Sequence, residues 1–223
     1  MLAQVMAKSG QSTRLKSKPL TQMVYDRILG EIINGEITTN DIITEGRLVQ
    51  ELGVSKSPVR EALITLCNEN VLRSVPRAGY RVVQIMSREI EDLIETRRVL
   101  ELALLERSFP FLTEEKITQL RLYLEEADEL EMNRYLTVHE RWQVNTNFHL
   151  LLASFAGNRW LSNLLEQTLR TSARASTQYF LHGDDRKLRT KEGNHPMLVA
   201  ALTQRDFKAA RECLLHDIAD IMK

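Results

Sequence analysis

The fold is decided by the stretch Leu52-Gly53-Val54-Ser55-Lys56-Ser57-Pro58-Val59-Arg60-Glu61-Ala62-Leu63. Gly53 is typical of the residue that closes a helix, because glycine adopts a positive φ without strain. Ser55 or Ser57 then caps a new helix, and Pro58 falls in its first turn, where a missing N–H costs little. The stretch therefore predicts two helices joined by a short glycine turn.

Upstream of this turn, the apolar residues predict a further helix. Val24, Ile28 and Ile32 recur every four residues, which is the spacing of one helical face, and Gly35 ends the pattern. Thr44 is an N-cap residue for the short helix that closes at Gly53.

Downstream, the helix after Ser57 has an apolar stripe made of Val59, Ala62, Leu63 and Leu66. Two β-like runs follow, Val71–Val75 and Tyr80–Ile85, and the turn sequence between them is Pro76-Arg77-Ala78-Gly79. Three helices and a hairpin in this order predict a winged helix-turn-helix over residues 19–86, preceded by a flexible basic arm over residues 1–18. The third helix of such a unit fits the major groove of DNA.

Cationic residues gather where this unit would meet a duplex. Lys56 and Arg60 are four residues apart and share the face opposite the apolar stripe. Ser55 and Ser57 add hydroxyls at the same helix end. Arg77 lies at the hairpin tip, which can enter a neighbouring minor groove, and Gly79 beside it permits close backbone approach.

The stretch from Leu52 to Leu63 resembles the recognition-helix signature of the GntR family of bacterial transcriptional regulators. Arg77-Ala78-Gly79-Tyr80 continues the pattern into the wing. The resemblance implies that Ser55, Lys56, Ser57 and Arg60 contact DNA and that Gly79 shapes the wing tip. Lys56 stands where the family usually has Arg, and Asn40-Asp41 replaces the usual Pro-Gly. In the pair Gly46-Arg47, the basic residue stands one position away from its usual place in the family. Arg47 remains a candidate DNA contact.

Composition excludes several classes of protein. The chain has 223 residues, its longest strictly apolar run is the six residues 197–202, and its two cysteines form no CxxC motif. A membrane-spanning helix, a secretory signal and a disulfide framework are not expected, which predicts a cytoplasmic protein. Residues 1–86 carry 11 Lys and Arg against 8 Asp and Glu, whereas residues 87–223 carry 19 against 22, so we expect two modules with different partners.

Residues 87–223 have helical periodicity throughout. The first stripe comprises Leu93, Thr96, Leu100, Ala103 and Leu104, and five further stripes are separated by breakers at Pro110, near Asn133, at 157–158, at 182–184 and near 205–206. Six helices with short links predict an antiparallel all-α bundle. The whole chain is therefore expected to be mainly α, with the β-hairpin wing as its small sheet.

This second module resembles the FCD domain of the FadR subfamily of GntR regulators. Three groups of residues carry the resemblance: Arg97-Arg98-Val99-Leu100-Glu101, Asn145-Thr146-Asn147-Phe148-His149, and His195 with the Ala201-Leu202, Arg205-Asp206 and Ala209-Ala210 pairs. The resemblance implies an effector-binding and dimerisation domain. In many such domains an Asp and three His hold a divalent metal, here Zn, Ni or Mn, and the metal holds a small carboxylate.

The ligand set departs from that pattern at two places. Asn145 stands at the acidic position, while His149 and His195 match. At the last position Asp217 stands where His is usual, and His216 lies one residue earlier, about 100° around the helix. Three possibilities follow: Asp217 completes the site, His216 turns in instead, or the domain binds no metal.

Arg97 is the first candidate for binding an acidic effector. The resemblance implies that it faces the cavity and pairs with an anion; the alternative is a surface ion pair with Glu101, one turn later. Arg174 and Tyr179 are further candidates in the fourth helix of the bundle.

The sequence thus predicts a DNA-binding regulator that binds a pseudo-palindromic operator as a homodimer and is modulated by a small organic acid. The alternatives are a DNA-binding protein without metal or effector, and a helical metalloenzyme. No HExxH motif supports an enzyme.

Overall fold

The computed structural model describes residues 19–180 and 194–220. The basic arm predicted over residues 1–18 and the helix break predicted at 182–184 lie outside these residues. Within them, the chain forms two compact units that divide between Ile85 and Met86.

The first unit is a winged helix-turn-helix, as the sequence predicts. It contains α1 (Leu20–Ile33), α2 (Glu45–Leu52), α3 (Lys56–Asn68) and the strands β1 (Leu72–Val75) and β2 (Gly79–Val82). α3 packs on both α1 and α2. The three helices enclose the core of this unit.

Local capping fixes where α2 begins and ends and where α3 begins. The Thr44 hydroxyl accepts a hydrogen bond from the Arg47 N–H at 3.3 Å, and Gly53 closes α2 with a φ of 63°. Ser55 is the N-cap of α3. The predicted stripe Val59, Ala62, Leu63 and Leu66 is completely buried, which leaves the opposite face of α3 exposed.

The wing is a two-stranded antiparallel hairpin in which Val75 pairs with Gly79 and Leu72 with Val82. Both strands are shorter than predicted, and Gly79 belongs to β2 rather than to the turn. Tyr80 forms an additional bridge with Ile43, in which each N–H donates to the other residue's carbonyl at 2.8 Å. This non-local bridge fixes the start of β2.

The second unit is entirely helical over the residues described. Its helices are α4 (Ser87–Ser108), α5 (Glu114–Asn133), α6 (Val138–Ser154), α7 (Arg159–Phe180), α8 (Asn194–Thr203) and α9 (Phe207–Asp220), with a 3₁₀ turn at Phe109–Phe111. These six helices confirm the number and order predicted. Within residues 19–180 and 194–220, no helix is long and apolar enough to cross a membrane.

The buried face of α4 differs from the prediction. Thr96 and Ala103, expected in the stripe, are exposed. Arg97 and Glu101 lie in the core instead, at 0% and 4% exposure. Two charged residues can occupy these positions because they pair with each other and with groups from other helices.

Candidate nucleic-acid interface and buried ionic cluster

The exposed face of α3 presents two of the predicted DNA contacts. Lys56 and Arg60 both point to solvent, and the Arg60 side chain is 61% exposed. Because Val59 and Leu63 anchor the other side of the helix in the core, this cationic face is held outward.

Arg60 is held by a carboxylate from α2. Its Nε and Nη2 each donate a hydrogen bond of 3.1 Å to a different oxygen of Glu45. These hydrogen bonds hold the pKa of Glu45 below its usual value, against a small opposing effect of burial. A planar two-point contact of this kind fixes the plane of the guanidinium. It also leaves Nη1 and one N–H of Nη2 directed away from Glu45.

Two other predicted contacts also have acidic partners in the DNA-free protein. Arg47 Nε lies 2.6 Å from Glu51 Oε1 on α2, and the Ser57 hydroxyl donates to Glu61 at 3.0 Å. Both pairs are exposed, so phosphates can compete with the carboxylates at little energetic cost.

At the wing tip, Arg77 is exposed and has a φ of 62°. Gly79 has a φ of 133°, and a Cβ there would lie 2.3 Å from the Ile43 carbonyl oxygen. In the free protein, the close approach that glycine permits is therefore with the backbone of Ile43. Ser55 is exposed at the start of α3.

The second unit contains a buried ionic cluster, defined here as Arg97, Glu101, His149, His195 and Asp217. Arg97 Nε donates to Glu101 Oε1 at 2.6 Å, and Glu101 Oε2 lies 2.6 Å from His149 Nδ1. On the other side of the ring, His149 Nε2 is 3.0 Å from Asp217 Oδ2 and 3.3 Å from His195 Nε2. The cluster thus joins α4, α6, α8 and α9.

The position of His195 is fixed by packing as well as by charge. Its ring stacks on Phe148, with centroids 4.1 Å apart and planes at 25°. Phe148 is completely buried, so this contact holds His195 Nε2 near Asp217 Oδ1, at 3.4 Å.

The charges of the cluster stabilise one another. Burial alone would lower the pKa of His149, but Glu101 and Asp217 outweigh it and raise that pKa to about 9. Burial likewise opposes ionisation of Glu101, and the positive Arg97 and His149 nevertheless hold its pKa below the usual value. The pKa of Asp217 is lowered by His149 and His195, again against the effect of burial. Both carboxylates are therefore anionic at neutral pH.

Three members of the cluster fit a divalent cation. His149, His195 and Asp217 each offer a ligand atom, and all three atoms lie within 4.8 Å of one another. The two histidine Nε2 atoms lie 3.3 Å apart, which is the spacing of ligand atoms in a tetrahedral site with bonds of about 2.0–2.1 Å. Asp217 approaches each of them with a different oxygen, Oδ2 at 3.0 Å from His149 and Oδ1 at 3.4 Å from His195. Asn145 lies one turn before His149, and its amide oxygen is buried without a hydrogen-bond partner among the residues described.

The remaining candidates occupy other environments. His216 is exposed, and its Nδ1 lies 3.2 Å from Asn194 Oδ1, outside the cluster. Arg174 is buried, at 4% exposure. Tyr179 is 48% exposed and donates a hydrogen bond of 2.8 Å to the Ser87 hydroxyl. The structure therefore brings His149, His195 and Asp217 together with Arg97, and does not bring in His216 or Tyr179.

Two acidic residues of these sites escape prediction from sequence. Glu45 lies 15 residues before Arg60, and no periodicity links them. Glu101 is recognisable only as the residue one turn after Arg97, and its contact with His149, 48 residues later, is a product of the fold. The hydrogen bond between Ser57 and Glu61, by contrast, could be predicted from their i, i+4 spacing.

Comparison with known proteins identifies both units. The sequence model of the bacterial regulatory proteins of the gntR family matches residues 20–82, and that of the FCD domain matches residues 92–220. The chain is 31% identical to the HTH-type transcriptional regulator YdhC of Bacillus subtilis (strain 168), over 68% of this chain and 67% of that protein.

Two longer matches cover most of the chain. It is 24% identical to the HTH-type transcriptional regulator McbR of Escherichia coli (strain K12), over 94% of this chain and 92% of that protein. The gluconate operon transcriptional repressor of Bacillus licheniformis is 28% identical, over 85% of this chain and 78% of that protein. The solved structure of E. coli McbR/YncC has the same fold, with a TM-score of 0.74, 23% identity, and coverage of 91% of this chain and 95% of that one.

Proposed function

The chain belongs to the GntR family and is a DNA-binding transcriptional regulator with an FCD domain. From this we propose that a small organic acid, bound in the helical unit, adjusts the affinity of the protein for operator DNA. The relatives named above are transcriptional regulators, not enzymes. We propose that residues 19–86 bind DNA and that residues 87–223 bind the effector and dimerise, in the cytoplasm.

The DNA-binding part of the proposal assigns base recognition to α3. Arg60 retains N–H groups that can donate to guanine O6 and N7, and Lys56 supplies a second charge on the same exposed face. Arg47, Ser55, Ser57, Arg77 and Gly79 complete the proposed contact set. A single unit of this size makes few contacts, so tight binding to a pseudo-palindromic operator calls for a homodimer.

The observation that carries the effector proposal is the state of Arg97. Its guanidinium is fully buried, Glu101 satisfies Nε, and Nη1 has no hydrogen-bond partner among the described residues. A buried N–H without a partner costs free energy. A carboxylate beside Nη1 removes this cost, which favours an organic acid as the ligand. Arg174, also buried, is a second proposed contact, and Tyr179 a peripheral one.

We include a divalent cation, Zn, Ni or Mn, in the proposed site. His149, His195 and Asp217 would hold it, with the Asn145 amide oxygen as a further donor one turn from His149. When bound, such an ion supplies a Lewis-acidic position for a carboxylate oxygen. Arg97 Nη2 lies 3.5 Å from His149 Nε2, so the guanidinium adjoins the donor group, and we propose that both contact the same bound acid.

Thermal unfolding tests the proposal. Chelator-treated protein is titrated with Zn²⁺, Ni²⁺ or Mn²⁺ and then with a panel of mono-, di- and tricarboxylic acids. We expect one metal to raise Tm and at least one acid to raise it further, because both bind the folded state. The same acid should change the affinity for a DNA duplex that the protein selects from a random-sequence pool.

Arg97→Lys is the matched variant. It keeps a positive charge beside Glu101, so the fold should survive, but it removes the planar guanidinium. We expect it to lose most of the acid-dependent shift while keeping the metal-dependent one. If no acid shifts Tm or DNA affinity, the alternative of a DNA-binding protein without an effector is correct. Turnover of an added acid by metal-loaded protein would instead indicate an enzyme.

A further inference from the structure

We propose that Glu101 is a positioning residue for the metal site: its carboxylate orients His149 so that Nε2 faces His195 and Asp217. This inference rests on the proposed function insofar as that function includes a bound cation. Glu101 lies outside the three-residue donor group and contacts the other nitrogen of the ring.

The geometry gives His149 two distinct sides. Nδ1 lies 2.6 Å from Glu101 Oε2, whereas Nε2 lies 3.0 Å from Asp217 and 3.3 Å from His195. An imidazole that coordinates a metal through one nitrogen keeps its proton on the other, and a carboxylate beside that proton fixes the ring orientation. The 2.6 Å separation puts Glu101 Oε2 on the Nδ1 side of the ring, where such a carboxylate acts.

The carboxylate is itself held rigidly. Its side chain is 3% exposed, and its second oxygen accepts a hydrogen bond of 2.6 Å from Arg97, one turn earlier on α4. The side chains of Arg97 and His149 are each 1% exposed. Because all three groups are buried, none can reorient without breaking an ionic contact in the core. The chain Arg97–Glu101–His149 therefore transmits the position of α4 to the donor nitrogen on α6.

Glu101 also neutralises Arg97, whose Nη2 is 3.5 Å from His149 Nε2 and would otherwise repel a cation. If Glu101 acts by orienting His149, metal binding should stay weak when the charges of Arg97 and Glu101 are both removed. If Glu101 acts only by neutralising Arg97, metal binding should recover. Replacing Arg97 and Glu101 together by Gln eliminates the repulsion but does not restore a carboxylate at His149 Nδ1. The double variant consequently separates the two roles.

The test is Zn²⁺ affinity, measured by competition with a chromophoric chelator. We expect Glu101→Gln to weaken binding by about 10–100-fold, and the double variant Arg97→Gln/Glu101→Gln to remain weak. Glu106→Gln removes the same charge from an exposed position on α4 and should leave the affinity unchanged. If Glu101→Gln does not fold, the double variant, which leaves no lone buried charge, provides the same comparison.

A spectroscopic measurement distinguishes positioning from general support of the fold. Long-range ¹H–¹⁵N NMR of histidine-labelled, zinc-loaded protein should show His149 protonated at Nδ1 in the wild type and altered ring signals in the folded variants. Unchanged affinity and ring signals in Glu101→Gln, or wild-type affinity in the double variant, would overturn this inference alone. If the wild type binds none of Zn²⁺, Ni²⁺ and Mn²⁺, the metal part of the proposed function fails and this inference fails with it.

Discussion

Arg60 on α3 and Glu45 at the start of α2 form a two-point ion pair, in which Nε and Nη2 each donate to a separate carboxylate oxygen at 3.1 Å. The pair is exposed and contributes little to stability. Its consequence is geometric, since it orients the guanidinium at the surface before DNA arrives.

Gly79 is the position in the wing where substitution should be most damaging. We expect Gly79→Ala to destabilise the wing by about 1–3 kcal/mol, because its φ of 133° is strained for alanine and the new Cβ would clash with the Ile43 carbonyl. Hydrogen exchange at the amides of Ile43 and Tyr80, which donate the bridging hydrogen bonds, measures this loss directly.

Gly46→Ala is the control in the same unit. Gly46 lies inside α2, and a Cβ there meets nothing within 4 Å. Alanine should therefore be neutral or stabilising. Equal protection of the two amides in wild type and Gly79→Ala would contradict the assigned role of the Ile43–Tyr80 bridge.

Salt dependence tests the phosphate contacts. We expect the logarithm of the affinity for the selected duplex to fall linearly and steeply with the logarithm of salt concentration, because bound Lys and Arg release counterions. Lys56→Ala should reduce the slope by about 1 if Lys56 neutralises one phosphate. Fluorescence anisotropy between low and physiological salt gives both slopes. A flat wild-type response would be incompatible with phosphate binding by this face.

Two histidines provide a matched pair for the metal site. His149→Ala removes a central donor of the cluster, so we expect metal content to fall to background. His216→Ala removes an exposed ring beside Asn194 and should leave metal content at the wild-type level. Metal analysis of the purified variants, after checking that both are folded, makes the comparison. Retention of full metal content by His149→Ala would place the site elsewhere, whereas loss of metal from both variants would make His216 a ligand.

The first unit could be predicted from sequence almost completely. Its helix boundaries depend on local signals, such as the Thr44 cap and the left-handed Gly53, and α3 buries the residues that its apolar spacing indicates. The strand limits are less predictable: both strands are shorter than their β-like runs, and the hairpin is joined at Tyr80 to Ile43, 37 positions earlier. No local pattern contains that information.

The second unit was harder to predict in detail for a physical reason. A stripe of apolar residues identifies a buried face only when the core is apolar, and α4 buries Arg97 and Glu101 instead. Thr96 and Ala103 then lie outside, although their residue types suit a core. The grouping of His149, His195 and Asp217 could be anticipated through family resemblance, whereas the contact between Glu101 and His149 required the structure.

The most direct test of the account is the base preference of an Arg60 variant. Affinities of wild type and Arg60→Ala are measured for the duplex that the wild type selects and for duplexes with each guanine replaced in turn. We predict that Arg60→Ala weakens binding to the selected duplex and no longer distinguishes one of the guanine replacements, a loss of about 1–3 kcal/mol of discrimination. Unchanged affinity together with unchanged discrimination at every position would contradict the claim that the exposed face of α3 reads DNA.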